Sequence, residues 1–304
     1  MNKKIEKQVI EDFGKEWQKF NQRDTAVSDL ERMFEDYFHI LPKKYMNKEN
    51  KCFDMGAGSG RWAKFIANKV KHIDCVEPSK LALNEAKKFL NENQNCNFFN
   101  EEVLNNSLKN NYYDFGYSLG VLHHIINTNE AITECVSKIK PGGAFLIYLY
   151  YNFDNKPLWF RLIWKLSDIF RNIISKLPFK LKYVVSQLFA VFVYFPLARF
   201  ALIIKTLNLN YENIPLNYYK DKSFKVMRLD SLDRFGTKLE KRFTKIEIKK
   251  MMEKSGLENI KFSNRRPFWV SVGFKKKKLN YFFYFFYPRF LIFKILNSNF
   301  FIFD

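Results

Sequence analysis

The run Asp54-Met55-Gly56-Ala57-Gly58-Ser59-Gly60 constrains this chain more than any other feature. It follows a short apolar segment, 51–55, and precedes a segment, 61–69, with Trp62, Phe65 and Ile66 at helical spacing. Alternate glycines let the backbone turn sharply and approach a ligand closely. Strand, glycine loop and helix in that order predict an α/β fold with its ligand at the carboxyl ends of the strands. The run is not the dinucleotide pattern G-x-G-x-x-G, because Arg61 stands where the third glycine would fall. Asp54 would also repel a pyrophosphate. It suits a ligand with a cationic end.

The flanking pattern extends this reading. Segments 72–77, 97–99, 113–119 and 144–151 read as strands, and 79–90 and 128–140 as helices, with Ser79 a cap and Pro141-Gly142-Gly143 a turn. Further on, 244–255 reads as a helix with a Thr244/Glu247 capping box and Gly256 as its stop. Segments 257–263 and 268–274 close the pattern as two strands. Strands alternating with helices predict a parallel sheet covered on both faces. Glu77 ends the second strand, where a carboxylate can accept hydrogen bonds from both ribose hydroxyls.

D-x-G-x-G-x-G plus a strand-two glutamate resembles the class I S-adenosylmethionine (SAM)-dependent methyltransferases, over 51–151 and 244–274. The resemblance implies an α/β, Rossmann-like, seven-stranded mixed sheet with helices on both faces, a closing antiparallel hairpin and a helical insertion. The cofactor would be SAM, which carries both an ammonium and a sulfonium. Asp54 would hold its amino group through water, Gly56, Ala57, Gly58 and Gly60 would line its methionyl and ribose parts, and Glu77 would bind the ribose. Leu119 would also meet the cofactor. An acid after the third strand would meet the adenine amine, and both Glu101 and Glu102 stand there.

After the fourth strand, Leu122-His123-His124 resembles the ubiquinone-methyltransferase-like branch of that family. A histidine with a pKa near 6.5 can take the acceptor's proton, and either His123 or His124 is a candidate. The Asn/Asp-Pro-Pro-aromatic segment of exocyclic amino methyltransferases is absent, and no cysteine sits where a base-carbon methyltransferase would need one. Cys52, Cys75, Cys96 and Cys135 form no metal-ligand spacing, so no metal is expected, and free thiols fit a reducing compartment. The N-terminus has a basic start and no apolar stretch behind it, so a cytoplasmic protein is expected.

The chain thus divides into an N-terminal helical cap (1–48), the first part of a SAM-binding core (49–151), an insertion over the acceptor (152–236), the core's completion (237–274) and a basic, aromatic tail (275–304). Tyr150, Tyr151, Arg228, Asp230 and Arg234 are the substrate candidates. Leu149-Tyr150-Tyr151-Asn152-Phe153 and Asp233-Arg234-Phe235-Gly236 look like segments of bacterial surface-polysaccharide-associated methyltransferases. That likeness implies O-methylation of a glycan, its phosphorylated precursor or a lipid-linked intermediate. A quinone-type C- or O-methyltransferase is the alternative within this chemistry. An RNA-binding protein and a SAM-binding protein without transferase activity are alternatives outside it.

The net charge of +20 fits an anionic partner or an AT-rich codon bias, and no nucleic-acid motif accompanies it. Segment 183–204 is apolar but interrupted by Gln187, Pro196 and Arg199. A central arginine costs about 2.5–3.5 kcal/mol on insertion scales, and a span there would split one sheet. An amphipathic lid or a membrane-facing surface fits better, with the tail 281–304 as a second peripheral contact at the inner face of a membrane.

Overall fold

The computed structural model of the protein describes residues 2–20 and 25–277. Seven strands form one sheet: β1 Lys51–Met55, β2 His72–Val76, β3 Cys96–Phe99, β4 Tyr113–Leu119, β5 Ile139–Tyr148, β6 Leu257–Phe262 and β7 Ser271–Lys275. Their order is β3-β2-β1-β4-β5-β7-β6. Strands β1 to β5 pair in parallel, and β7 runs antiparallel to both β5 and β6. The chain reverses its direction of travel across the sheet between β1 and β4, which opens a crevice at their carboxyl ends.

Alternation along the central strands builds a core on each face. Cys52, Phe115, Tyr117 and Leu146 pack with α2 (Val27–Phe38) and α3 (Ala63–Ala67). Phe53, Met55, Phe145 and Ile147 pack with α5 (Thr128–Lys138) and α10 (Lys245–Lys254). Each of these buried aromatic and aliphatic side chains contributes roughly 1.5–3 kcal/mol. The remaining helices are α1 Asn2–Lys19, α4 Lys80–Phe89, α6 Leu158–Ile174, α7 Phe179–Phe189, α8 Phe195–Thr206 and α9 Phe224–Gly236. A π turn, Ala190–Tyr194, joins α7 to α8 in one rod.

Several boundaries differ from the sequence expectation. Helix α5 stops at Lys138, and Pro141-Gly142-Gly143 lies inside β5 rather than in a turn before it. The reason is a bulge: β5 pairs Ile139 with Tyr113 and then Ala144 with Phe115. Strand β5 also ends at Tyr148, and Tyr151 instead bridges to Phe243. Strand β7 begins only at Ser271, because Trp269 at φ +69° is not extended. Ser79 occupies the cap position of α4 without a side-chain cap bond. The capping box on α10 is present, with both Thr244 and Glu247 engaged. The aromatic tail 281–304 lies outside the described residues.

Candidate active site

A single cavity of about 730 Å³ starts at the carboxyl ends of β1, β2 and β4 and runs beneath α1 toward α6 and the α7–α8 rod. Its donor end is the glycine loop. The amides of Gly56 and Ala57 donate to the Val76 carbonyl (2.8 and 3.0 Å), which ties the loop to the end of β2. Gly56 sits at φ +83°, and a Cβ there would lie 2.5 Å from the Val121 methyls. Only glycine meets both demands. Gly60 (φ +81°) does not face the cavity. A Cβ on it would strike Leu90 at 2.9 Å and Ala86 at 3.3 Å, so this glycine lets α4 pack against the loop.

The two acids differ in placement. Glu77 lines the cavity and accepts hydrogen bonds from the amides of Gly58 (2.9 Å) and Ser79 (2.8 Å). Burial pushes its pKa up to about 7 against those bonds. Each carboxylate oxygen keeps acceptor capacity for a ribose hydroxyl. Asp54 is not on the cavity wall but behind the loop, essentially fully buried. Neither of its oxygens makes a hydrogen bond, although the Tyr117 hydroxyl lies close. Burial pushes its pKa up to about 8. A buried carboxyl without a partner is costly, and from behind the loop it can meet an ammonium in the cavity only through water. The donor end therefore fits SAM.

Of the two acids after β3, Glu102 is the one at the cavity. It lines the cavity with Pro78, Val103 and Leu104. Glu101 is turned away and holds the amide and hydroxyl of Ser107. Leu119 and Ala57 also line the cavity.

The two histidines also separate. The ring of His123 is fully enclosed, against His124 (4.0 Å between centroids) and Tyr150 (3.9 Å), off the cavity wall and with neither nitrogen bonded. His124 reaches the cavity. Its Nδ1 lies 2.6 Å from the Leu239 carbonyl, which can only accept, so Nδ1 carries the proton and Nε2 the free lone pair. Nε2 has no other partner. Burial lowers the pKa of His124 and outweighs the nearby Asp233 carboxylate, so the ring is a neutral base at pH 7.

Around His124 lies a polar chamber. The Tyr150 hydroxyl donates to Asp233. Asp230 also lines the chamber, with its pKa pushed up to about 6 by burial and by Asp233. Glu16 of α1 stands opposite, raised by burial and then by these two aspartates. Glu240 pairs with Arg234 (2.7 Å) and Arg242 (2.8 Å), and Arg242 sits 5.0 Å over the Tyr150 ring. Tyr151 and Arg234 line the cavity too. Arg228 does not: it turns to Gln187 (2.5 Å) and the Tyr183 hydroxyl (3.0 Å) on α7.

Sequence reasoning gave 1–48 as a helical cap but assigned none of its residues to the site. Trp17 lies against Gly58, close enough that a Cβ there would be 3.1 Å from the indole nitrogen. Phe13 packs on His124 at 4.9 Å. The one available signal was an acid, Glu16, on the same helix face as Phe13 and Trp17.

Comparison with known proteins agrees with this geometry. Residues 53–147 match the family model described as a methyltransferase domain. Over those residues, about a third of the chain, the protein is thus similar to a methyltransferase domain. No curated protein matches by sequence. Among solved structures, a SAM-dependent methyltransferase of Thermotoga maritima is 15% identical, with 86% of this chain and 99% of that one covered and a TM-score of 0.47. Phosphoethanolamine N-methyltransferase 1 of Haemonchus contortus, in complex with phosphoethanolamine and S-adenosylhomocysteine, is 13% identical over 48% of this chain and 33% of that one, TM-score 0.42. A provisionally named sarcosine dimethylglycine methyltransferase of Galdieria sulphuraria is 25% identical over 38% of this chain, TM-score 0.36, and the matched part is 46% of its length.

Proposed function

We propose that this protein transfers a methyl group from SAM to an oxygen of a carrier-linked acceptor, a glycan or phosphorylated precursor held on a lipid. The observation that carries this reading is the continuity of the cavity, from glycine loop through the polar chamber to the apolar side chains of α6 and α8. Bound SAM supplies a methyl on a sulfonium, open to in-line displacement. Asp54 and Glu77 would hold the donor, with Glu102 at its adenine end. His124 would take the acceptor's proton on Nε2. Glu16, Asp230 and Asp233 offer acceptor oxygens to sugar hydroxyls, and Arg266 offers charge to a phosphate. Holding both substrates in line contributes more than any single group. Trp17 and Phe13 exclude water from above.

A quinone-type acceptor is the second reading, favoured by the aromatic lining of Tyr148, Phe153 and Phe160. The two are separated by supplying methyl-labelled SAM with nucleotide sugars, lipid-linked glycans or quinones. Label in the lipid-linked glycan is expected. Label in quinone alone selects the second reading, and no heat on titrating SAM or S-adenosylhomocysteine into folded protein removes both.

A further inference from the structure

Helix α6 is amphipathic in the reverse sense for a helix in water. Its inward side holds Ser167, Asp168 and Arg171. Asp168 binds Arg171 (2.6 Å) and Arg234 (3.3 Å), and Arg171 also donates to the Thr237 carbonyl (3.1 Å). Its outward side holds Leu158, Leu162, Leu166, Ile169 and Ile173, spaced as one helical face and each more than half exposed. The neighbouring rod, Phe179–Thr206, is long and apolar enough to cross a membrane, with a mean hydropathy of 1.9. It cannot cross one while folded as seen. Lys182, Ser186, Ala190, Tyr194, Ala198 and Ala201 form a buried stripe along its length. The extra residue of the π turn keeps that stripe in phase. Lys182 is further pinned to Asp12 and to the Gly236 carbonyl. The rod lies flat, and its other side shows Leu188, Phe192, Phe200 and Ile203 to the outside.

Exposed apolar surface of this extent marks an interaction face, and charge decides what covers it. Residues 158–210 contain a single acid, Asp168, which faces inward, while Lys165 on α6, Lys176 between α6 and α7, and Lys180 on α7 are exposed. Apolar side chains interleaved with lysines, on helices that lie flat, fit an anionic bilayer. The cavity opens there as well. Ile163, Leu166, Phe170 and Val193 line it and are exposed at the same time.

We propose that the outer face of α6, α7 and α8 seats in an anionic membrane surface, with the mouth of the cavity against the bilayer. An acceptor then reaches His124 from the lipid side, its apolar carrier lying between α6 and the rod. The acceptor part of this inference rests on the methyl-transfer reading; the seating does not.

The test is flotation of the full-length protein with vesicles of phosphatidylcholine and 30% phosphatidylglycerol, and with phosphatidylcholine alone. The variant Leu162→Glu/Ile169→Glu/Phe192→Glu changes three exposed side chains off the cavity wall. Wild type should float with the anionic vesicles at least tenfold better than the variant, and SAM should bind both alike by calorimetry. Trp159, on the exposed face, should be quenched by brominated lipid, and Trp159→Phe should remove that quenching. Equal flotation of wild type and variant, or a stable dimer in solution that ignores vesicles, overturns the proposal. Failure to float with SAM binding intact leaves the methyltransferase reading standing, whereas loss of SAM binding in wild type strikes that reading instead.

Discussion

At the scale of single residues, Asp54 makes the sharpest prediction. In a folded, ligand-free molecule its carboxyl titrates near pH 8, against about 4 in an unfolded chain. Between those values the folded state holds the extra proton, so stability falls as pH rises from about 4 to 8. The loss is on the order of a few kcal/mol. Melting curves of the apo protein should show it, and Asp54→Asn should flatten it; parallel curves would refute the account. SAM reverses the sign, because its ammonium favours the carboxylate. Affinity should rise with pH up to about 8, by as much as roughly tenfold per unit, and calorimetry in buffers of different ionisation heat should detect the released proton.

The paired histidines make the second prediction at this scale. His124→Asn should lower kcat by about 10²–10⁴ without preventing SAM binding. The acid limb of the wild-type rate profile should lie below pH 6.5, because burial lowers the His124 pKa and protonation removes its free lone pair. His123 is buried with both nitrogens unsatisfied. His123→Leu should therefore stabilise the fold by about 1 kcal/mol and leave the rate within a few-fold of wild type. A rate collapse in His123→Leu with normal folding would exchange the two assignments.

At the scale of elements, the glycine loop and α10 separate binding from stability. Gly60→Ala forces a φ of +81° on a side-chain-bearing residue against Leu90, at a cost of about 1–3 kcal/mol. Thr244→Ala removes the α10 cap for about 1 kcal/mol. Denaturant unfolding should register both losses, while Thr244→Ala keeps full SAM affinity. The elements that could be read from sequence were those with a local cause: β1, β4, the capping box and the glycine loop each follow from a short pattern. The boundaries of β5 and β7 could not be read, because a bulge against Tyr113 and a turn at Trp269 are decisions of the neighbouring strands. Likewise Asp54 and Gly60 belong to the loop by pattern, but only packing shows that one lies behind the cavity and the other against α4. The N-terminal helix was legible as a helical cap but not as the cover of this site, since nothing local says which surface an amphipathic face covers.

At the scale of the whole molecule, that roof links the two ends of the site. Helix α1 places Trp17 on the glycine loop, Phe13 on His124 and Glu16 in the acceptor chamber. Among the described residues its hydrogen bonds and ion pairs to other elements are few: Glu6 accepts from the Ile126 amide (3.0 Å), and Asp12 pairs with Lys182. An element that covers a ligand site and is held by few bonds opens at lower free energy than the sheet beneath it. A ligand under it couples to that opening, stabilising the closed state by RT ln(1 + [L]/Kd), about 2.7 kcal/mol at a hundredfold excess over Kd. Saturating S-adenosylhomocysteine should therefore slow amide exchange in 2–19 by up to about a hundredfold. Exchange in β1 and β4, which opens only with the whole fold, should slow through the same linkage in proportion to global stability. Unchanged exchange in α1 at saturating ligand, with β1 and β4 protected, would mean that the donor is bound without the roof. Trp17 would then be a packing residue of the loop and not part of the site.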